Sequence, residues 1–355
     1  MLSKIKQRFI DKFWKVVYVV DDDLKCIEQE SATPFKDIVD NIYDPATALH
    51  FHKNNGQILT GTFHVLNRDC VIEPSMLSAI VGLNKIVAYS IFSHETKPAT
   101  INYLKYRFLK TGQEKVIEEG ILFDGNLSVN YFHFFADVFN KLWVLERHNF
   151  DKSIPLIIGR KIFEKRYFKY LYENTEIKKW NWLVQEETDF IKCKRLYLIN
   201  PSPYYKPFWD KTVSLVKDLK SNEKPFRRLF LSRPVSLKRT LTNFESLFPV
   251  LKEHGFEIVD PGSMSFEQQV KLFSEAEIIA GMHGAAFTNM IFAQAATLRI
   301  LEISPCDRTS GQLYWLAAMI KVKYYDCILG SSLEEGNFEV STEIFEKAIL
   351  RLIKN

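Results

Sequence analysis

Two successive α/β domains, the second built on a doubly wound parallel sheet, are the fold class this sequence predicts. Three observations lead there. The chain has 355 residues, which at about 150 residues per domain gives two domains. Its second half alternates short apolar runs with helical patterns, the rhythm of a parallel sheet wrapped by helices. A Pro-rich stretch from Asn200 through Pro201, Pro203 and Pro207 separates that half from the first. The predicted division is an N-terminal domain over 1–205 and a C-terminal Rossmann-like domain over 206–355.

Residues 1–16 read as a basic amphipathic helix. Leu2, Ile5, Phe9, Phe13 and Val16 recur at helical spacing, with Lys4, Lys6, Arg8, Lys12 and Lys15 on the other faces. Such a stripe docks on its own domain or lies on a membrane surface. KVVYVV at 15–20 predicts a strand, and 56–125 reads as mostly β. A helix is expected over about 129–148, a buried strand at 154–159, then a helix to about 173. In the second half, strands are expected at 227–233, 256–260, 277–281, 298–304 and 322–328. Helices are expected at 242–254, 265–275, 285–293, 310–320 and 342–354.

Bulk properties narrow the function classes. With 47 basic and 43 acidic residues the formal charge is +4, too small a bias for a nucleic-acid binder. Cys26, Cys70, Cys193, Cys306 and Cys327 form no CxxC pair, which argues against structural zinc and suits reduced thiols. Neither a long apolar span nor a signal-peptide pattern is read, so the expected location is cytoplasmic, with peripheral membrane contact through 1–16.

In open parallel sheets, ligands sit beyond the C-terminal ends of strands. Gly281-Met282-His283-Gly284-Ala285-Ala286-Phe287-Thr288-Asn289 follows a strand and opens a helix. Small residues there admit a phosphate to the helix N-terminus, and His283 can donate to a phosphate or ribose oxygen. Arg233 ends RRLFLSR, with Lys238 and Arg239 close behind. Fixed cations can stabilise a departing diphosphate, and arginine can do so bidentately. Glu302, near the end of LRILEIS, can bond a ribose diol or pair with a neighbouring cation. Asp260-Pro261-Gly262 reads as a turn.

In the first half, His133 and Asp137 lie one helical turn apart in NYFHFFADVFN. Such a pair can deprotonate an acceptor hydroxyl, either residue being the base, or can simply satisfy a buried histidine. A rival lies in Asp21-Asp22-Asp23, an Asp-x-Asp after a strand that could hold a divalent cation or merely end the strand. His50 and His52 alternate as on a strand and make a weak metal site.

The stretch from about 230 to 305 resembles family 61 glycosyltransferases. The likeness rests on Ser232-Arg233, Arg239, Gly255-Phe256, Glu267-Gln268, His283-Gly284-Ala285, Thr288-Asn289 and Glu302, and on NYFHFFADVFN upstream. The resemblance implies a GT-B architecture, two Rossmann-like domains facing a cleft, with extra β structure in the N-terminal region. It implies inverting, metal-independent transfer from a nucleotide-sugar, UDP-linked, to a glycan or lipid-linked glycan, as in capsule or lipopolysaccharide synthesis, with no cofactor. Carried over, Arg233, Arg239, His283, Gly284, Ala285, Asn289 and Glu302 form the donor site, to which the reading of the basic loop adds Lys238, and Asp137, with His133 beside it, supplies the base. The alternatives are an epimerase or hydrolase of the same fold, an inactive nucleotide-sugar-binding subunit, and a metal-dependent transferase using Asp21 and Asp23.

Overall fold

The computed structural model describes residues 13–17, 24–30, 39–42, 45–53, 61–90, 101–125, 127–233 and 240–355. The basic helix over 1–16 (but for its last residues), Asp21–Asp23, Lys238 and Arg239 lie outside them. The chain forms two compact units. One comprises 1–31 and 59–203; the other comprises 32–58 and 204–355. The linear division at 205/206 does not contain the excursion of 32–58 into the second unit.

The first unit is built on a ten-stranded mixed sheet. Its parallel part holds Gln113–Leu122, Leu156–Gly159, Trp182–Gln185 and Asp189–Asn200. From Gln113–Leu122 the chain winds outward, through the helical stretch 131–147 to Leu156–Gly159 and through 160–174 to Trp182–Gln185. It then returns to lay Asp189–Asn200 on the other side of Gln113–Leu122. The direction of winding therefore reverses between those two strands. The antiparallel strands Gly61–Leu66, Cys70–Glu73 and Ser78–Val81 extend the sheet beyond Asp189–Asn200.

One expectation gains a detail here and another fails. Ile101–Leu109 is a helix inside the region read as mostly β. Its buried Tyr103 and Tyr106 recur at helical spacing, a signal hidden by the strands on either side. The segment holding His50 and His52 is the helix Pro45–Lys53, opened by a proline whose fixed φ suits a first helical turn. His52 bonds Asp40 at 2.9 Å. Among the described residues no three of His, Cys, Asp and Glu converge as a metal site.

The second unit has the expected doubly wound sheet. Phe256–Val259, Arg227–Leu231, Ala276–Met282, Arg299–Pro305 and Tyr324–Ser332 are parallel neighbours in that order, and Val39–Ile42 adds a parallel edge strand. Side chains alternate between faces with period two. Ile278, Ala280, Met282, Leu301 and Ile303 point to one face, where Phe244–Glu253 and Thr342–Lys354 bury Leu247, Leu251, Phe345 and Ile349. On the other face Tyr314 of Gln312–Ile320 packs edge-on against Tyr325. Phe244–Glu253 tolerates Pro249. Winding reverses between Arg227–Leu231 and Ala276–Met282, so this unit too has a switch point, where the ends of two neighbouring strands diverge and leave a crevice. Among the described residues no helix is long and apolar enough to cross a membrane.

Candidate functional site

The first unit places a polar cluster at its switch point. Asn130 caps the helical stretch 131–147, its side chain accepting from the backbone N–H of Phe132 at 2.9 Å. Phe134–Phe139 is wound as a π-helix, a form that recurs at functional sites. Its aromatic side faces the core, with Phe134 and Phe135 fully buried against Tyr167. The other side carries His133, Asp137 and Lys141. His133 Nδ1 and Asp137 Oδ2 lie 2.7 Å apart. Burial pushes the Asp137 carboxyl up from its ordinary value, opposed by His133 and Lys141.

These residues wall an open cleft with Leu122, Asp124, Ser128 and Asn200. Leu122 ends the strand Gln113–Leu122, and Asn200 ends the strand Asp189–Asn200. The cleft thus opens between the C-terminal ends of the two strands at which winding reverses.

Sequence reading missed Lys141 and Asp124. Lys141 is buried and donates to the carbonyls of Leu122 at 3.0 Å and Asp124 at 3.4 Å. Burial pulls its ammonium down to about 8, against the pull of Asp124 and Asp137. The Asp124 carboxylate accepts from Gly125 N at 2.7 Å and Gly159 N at 3.0 Å, tying two strand ends together. Burial raises its pKa, with hydrogen bonds and Lys141 opposing. Two signals were available. Lys141 continues the helical spacing of His133 and Asp137, and Asp124 closes the apolar run 121–123 at the end of the region read as mostly β.

The second unit gathers Arg233, His283 and Gly284 at its own switch point. Gly281 makes this turn possible. Its φ is +155°, and a Cβ there would lie 2.8 Å from Leu231 on the neighbouring strand. A Cβ on Gly284 would lie 3.9 Å from Arg233 Nη1, so the arginine stands beside the turn. His283 N donates to Ile303 O at 2.8 Å, which fixes its backbone to the next strand. Ser232 ties its strand to Val259 O through both N, at 2.8 Å, and Oγ, at 3.0 Å.

Three details differ from the sequence-based picture. Ala285–Phe292 is a 3-10 helix, not an α-helix; its first N–H groups still have no carbonyl a turn earlier to meet. Asn289 is fully buried, its amide donating to Gln269 at 3.0 Å and Ala286 O at 3.2 Å, so it braces the turn from behind. Glu302 is fully buried too. It accepts from His283 Nδ1 at 2.5 Å and from the Tyr325 hydroxyl. Both its oxygens are engaged inside the protein, the arrangement that makes burial of a carboxylate tolerable. Asp260 forms the expected turn, accepting from Gly262 N at 3.0 Å.

The family model described as Glycosyltransferase 61 matches residues 131–300. The match begins at the helix of His133 and runs past the turn of His283. No curated protein matches the chain.

Proposed function

Starting from a chain that carries a glycosyltransferase 61 domain and is a glycosyltransferase, we propose that its two units divide the work on the GT-B plan. The second unit takes a nucleotide-sugar, UDP-linked, and the first takes the acceptor glycan. The observation that carries this reading is the His133–Asp137 pair, 2.7 Å apart in a cleft at a switch point. Asp137 engages Nδ1, which fixes the tautomer and makes Nε2 the atom that accepts the proton of the acceptor hydroxyl.

The resulting oxygen attacks the anomeric carbon as the bond from that carbon to the diphosphate oxygen breaks. The bonding pair leaves with the nucleoside diphosphate. Arg233 and the N–H groups opening Ala285–Phe292 stabilise the charge that develops there. His283, held through Nδ1 by Glu302, presents Nε2 to the donor. One in-line displacement with one base inverts the anomeric centre. We propose that fixed cations do the work of a divalent metal, with Lys238 and Arg239 joining Arg233. The proposed setting is a lipid-linked glycan in capsule or lipopolysaccharide synthesis, on the cytoplasmic side, with 1–16 on the membrane surface.

Calorimetric titration with UDP-, CMP-, GDP- and TDP-sugars in EDTA, comparing wild type with His283→Ala, tests the donor site. One nucleotide class should bind in EDTA and lose its affinity in the variant. Binding that needs a divalent metal, or that ignores His283, sinks the reading and points to Asp21 and Asp23.

A further inference from the structure

Lys141 is a cation where cations are costly. It lies two helical turns beyond His133, on the same side as Asp137, and is 6% exposed. A core-facing helix position is usually filled by an apolar side chain, because desolvating an ammonium is unfavourable unless it is well paired. Lys141 instead forms part of the wall of the cleft. An ammonium has three N–H groups. The carbonyls of Leu122 and Asp124 accept two of them. The charged groups facing Lys141 are Asp124 and Asp137.

We infer that Lys141 is a further substrate-binding residue of this cleft. Its third N–H holds an oxygen of the acceptor sugar other than the one His133 deprotonates, and the cleft prefers neutral sugar units to acidic ones. The inference rests on the reading of the cleft as the acceptor site and adds its substrate class. The cleft's charges decide the preference. Its described wall contains one ammonium, two carboxylates and a histidine that must be neutral to act as a base. No arginine is among the wall residues named for it to clamp an anion. An incoming carboxylate or phosphate meets Asp137, and like charges repel. A sugar hydroxyl can accept from Lys141 and donate to a carboxylate or to Asn200, so it satisfies the polar groups already there.

Saturation-transfer NMR on the full chain tests this with matched pairs: methyl glucoside against methyl glucuronide, methyl galactoside against methyl galacturonide, and N-acetylglucosamine against N-acetylmuramic acid. The neutral member of at least one pair should bind, and its acidic partner should bind about tenfold more weakly or worse, the loss expected from one unfavourable charged contact. Lys141→Met should weaken the neutral sugar about tenfold or more, and Lys141→Arg should recover part of that. Equal or tighter binding of the acidic members overturns the inference. So does absence of binding by every sugar, or undiminished binding by a folded Lys141→Met. If that variant does not fold, the paired comparison in wild type still decides. His133→Gln separates this inference from the one it rests on. Transfer that survives in His133→Gln overturns the base assignment, whereas loss of the neutral preference beside an inactive His133→Gln overturns the role of Lys141 alone.

Discussion

Glu302 reaches across from the neighbouring strand to take the Nδ1–H of His283 at 2.5 Å, while Tyr325, one strand further, donates to its second oxygen. The three side chains stand on three adjacent parallel strands or their ends, and only His283 is partly open to solvent. Glu302→Gln should therefore act on the donor through His283. A glutamine can donate to Nδ1 and favour the opposite tautomer. Donor affinity should fall about tenfold or more, without loss of acceptor affinity. Tyr325→Phe should leave a buried carboxylate oxygen unpartnered and cost about 1–3 kcal/mol of stability by chemical denaturation.

The dyad of the first unit should show the opposite signature. His133→Gln and Asp137→Asn should each lower kcat about a hundred- to ten-thousandfold, the usual contribution of a positioned base. Donor binding, measured by calorimetry, should stay as in wild type. Loss of donor affinity in either variant would contradict the division of labour between the units.

The pH profile of kcat/KM should be bell-shaped. Activity should fall on the acidic side as Asp137, whose carboxyl burial pushes up, takes up a proton and releases its hold on His133 Nδ1. It should fall on the alkaline side as Lys141 loses its proton near pH 8, the value to which burial pulls it against Asp124 and Asp137. In Lys141→Arg the alkaline limb should move up by more than one pH unit, because arginine stays charged.

Stability should follow the same lysine with a definite sign. Its folded pKa, about 8, lies below the ordinary lysine value of 10.5. Between those values the unfolded chain binds more protons than the folded one, so this contribution to stability is present above 10.5 and is lost as pH falls through about 8. Thermal melts across pH 7–10.5 should show wild type gaining stability relative to Lys141→Met as pH rises. A constant difference would mean that Lys141 carries the same proton in both states.

Gly281→Ala tests the turn itself. The added methyl would meet the side chain and carbonyl of Leu231 at 2.8 Å, at a φ of +155°. The variant should lose about 1–3 kcal/mol of stability. It should also lose donor affinity, because His283 lies two residues on.

Sequence periodicity was enough to read the second unit's parallel strands, because each is a short apolar run between amphipathic helices. The same reasoning singled out His133, Asp137, Arg233 and His283 as candidates, all of which follow strands or share a helix face. It could not separate the residues that form a wall from those that brace it. Asn289 and Glu302 carry the chemistry of ligand-binding side chains, yet the structure spends that chemistry inside the protein. Lys141 shares the helical spacing of His133 and Asp137, but nothing local shows that this face turns toward a strand end. The 3-10 winding of Ala285–Phe292 has no signature in residue spacing that separates it from an α-helix, and the helical spacing of Ile101–Leu109 was masked by the strands on either side.

The strand Val39–Ile42 has a consequence for how the chain is made. It forms the edge of the second unit's sheet, beside Tyr324–Ser332, and Tyr314 bonds Asp40 across 274 residues of sequence. During vectorial synthesis this segment emerges well before its pairing partner. Contacts of such long range form late and slowly. A fragment ending at residue 203 would carry a strand and a helix with nothing to pair against, and one starting at 204 would present a bare sheet edge, an invitation to intermolecular pairing. The two units are therefore best produced as one polypeptide, in which Val39–Ile42 can close the sheet edge.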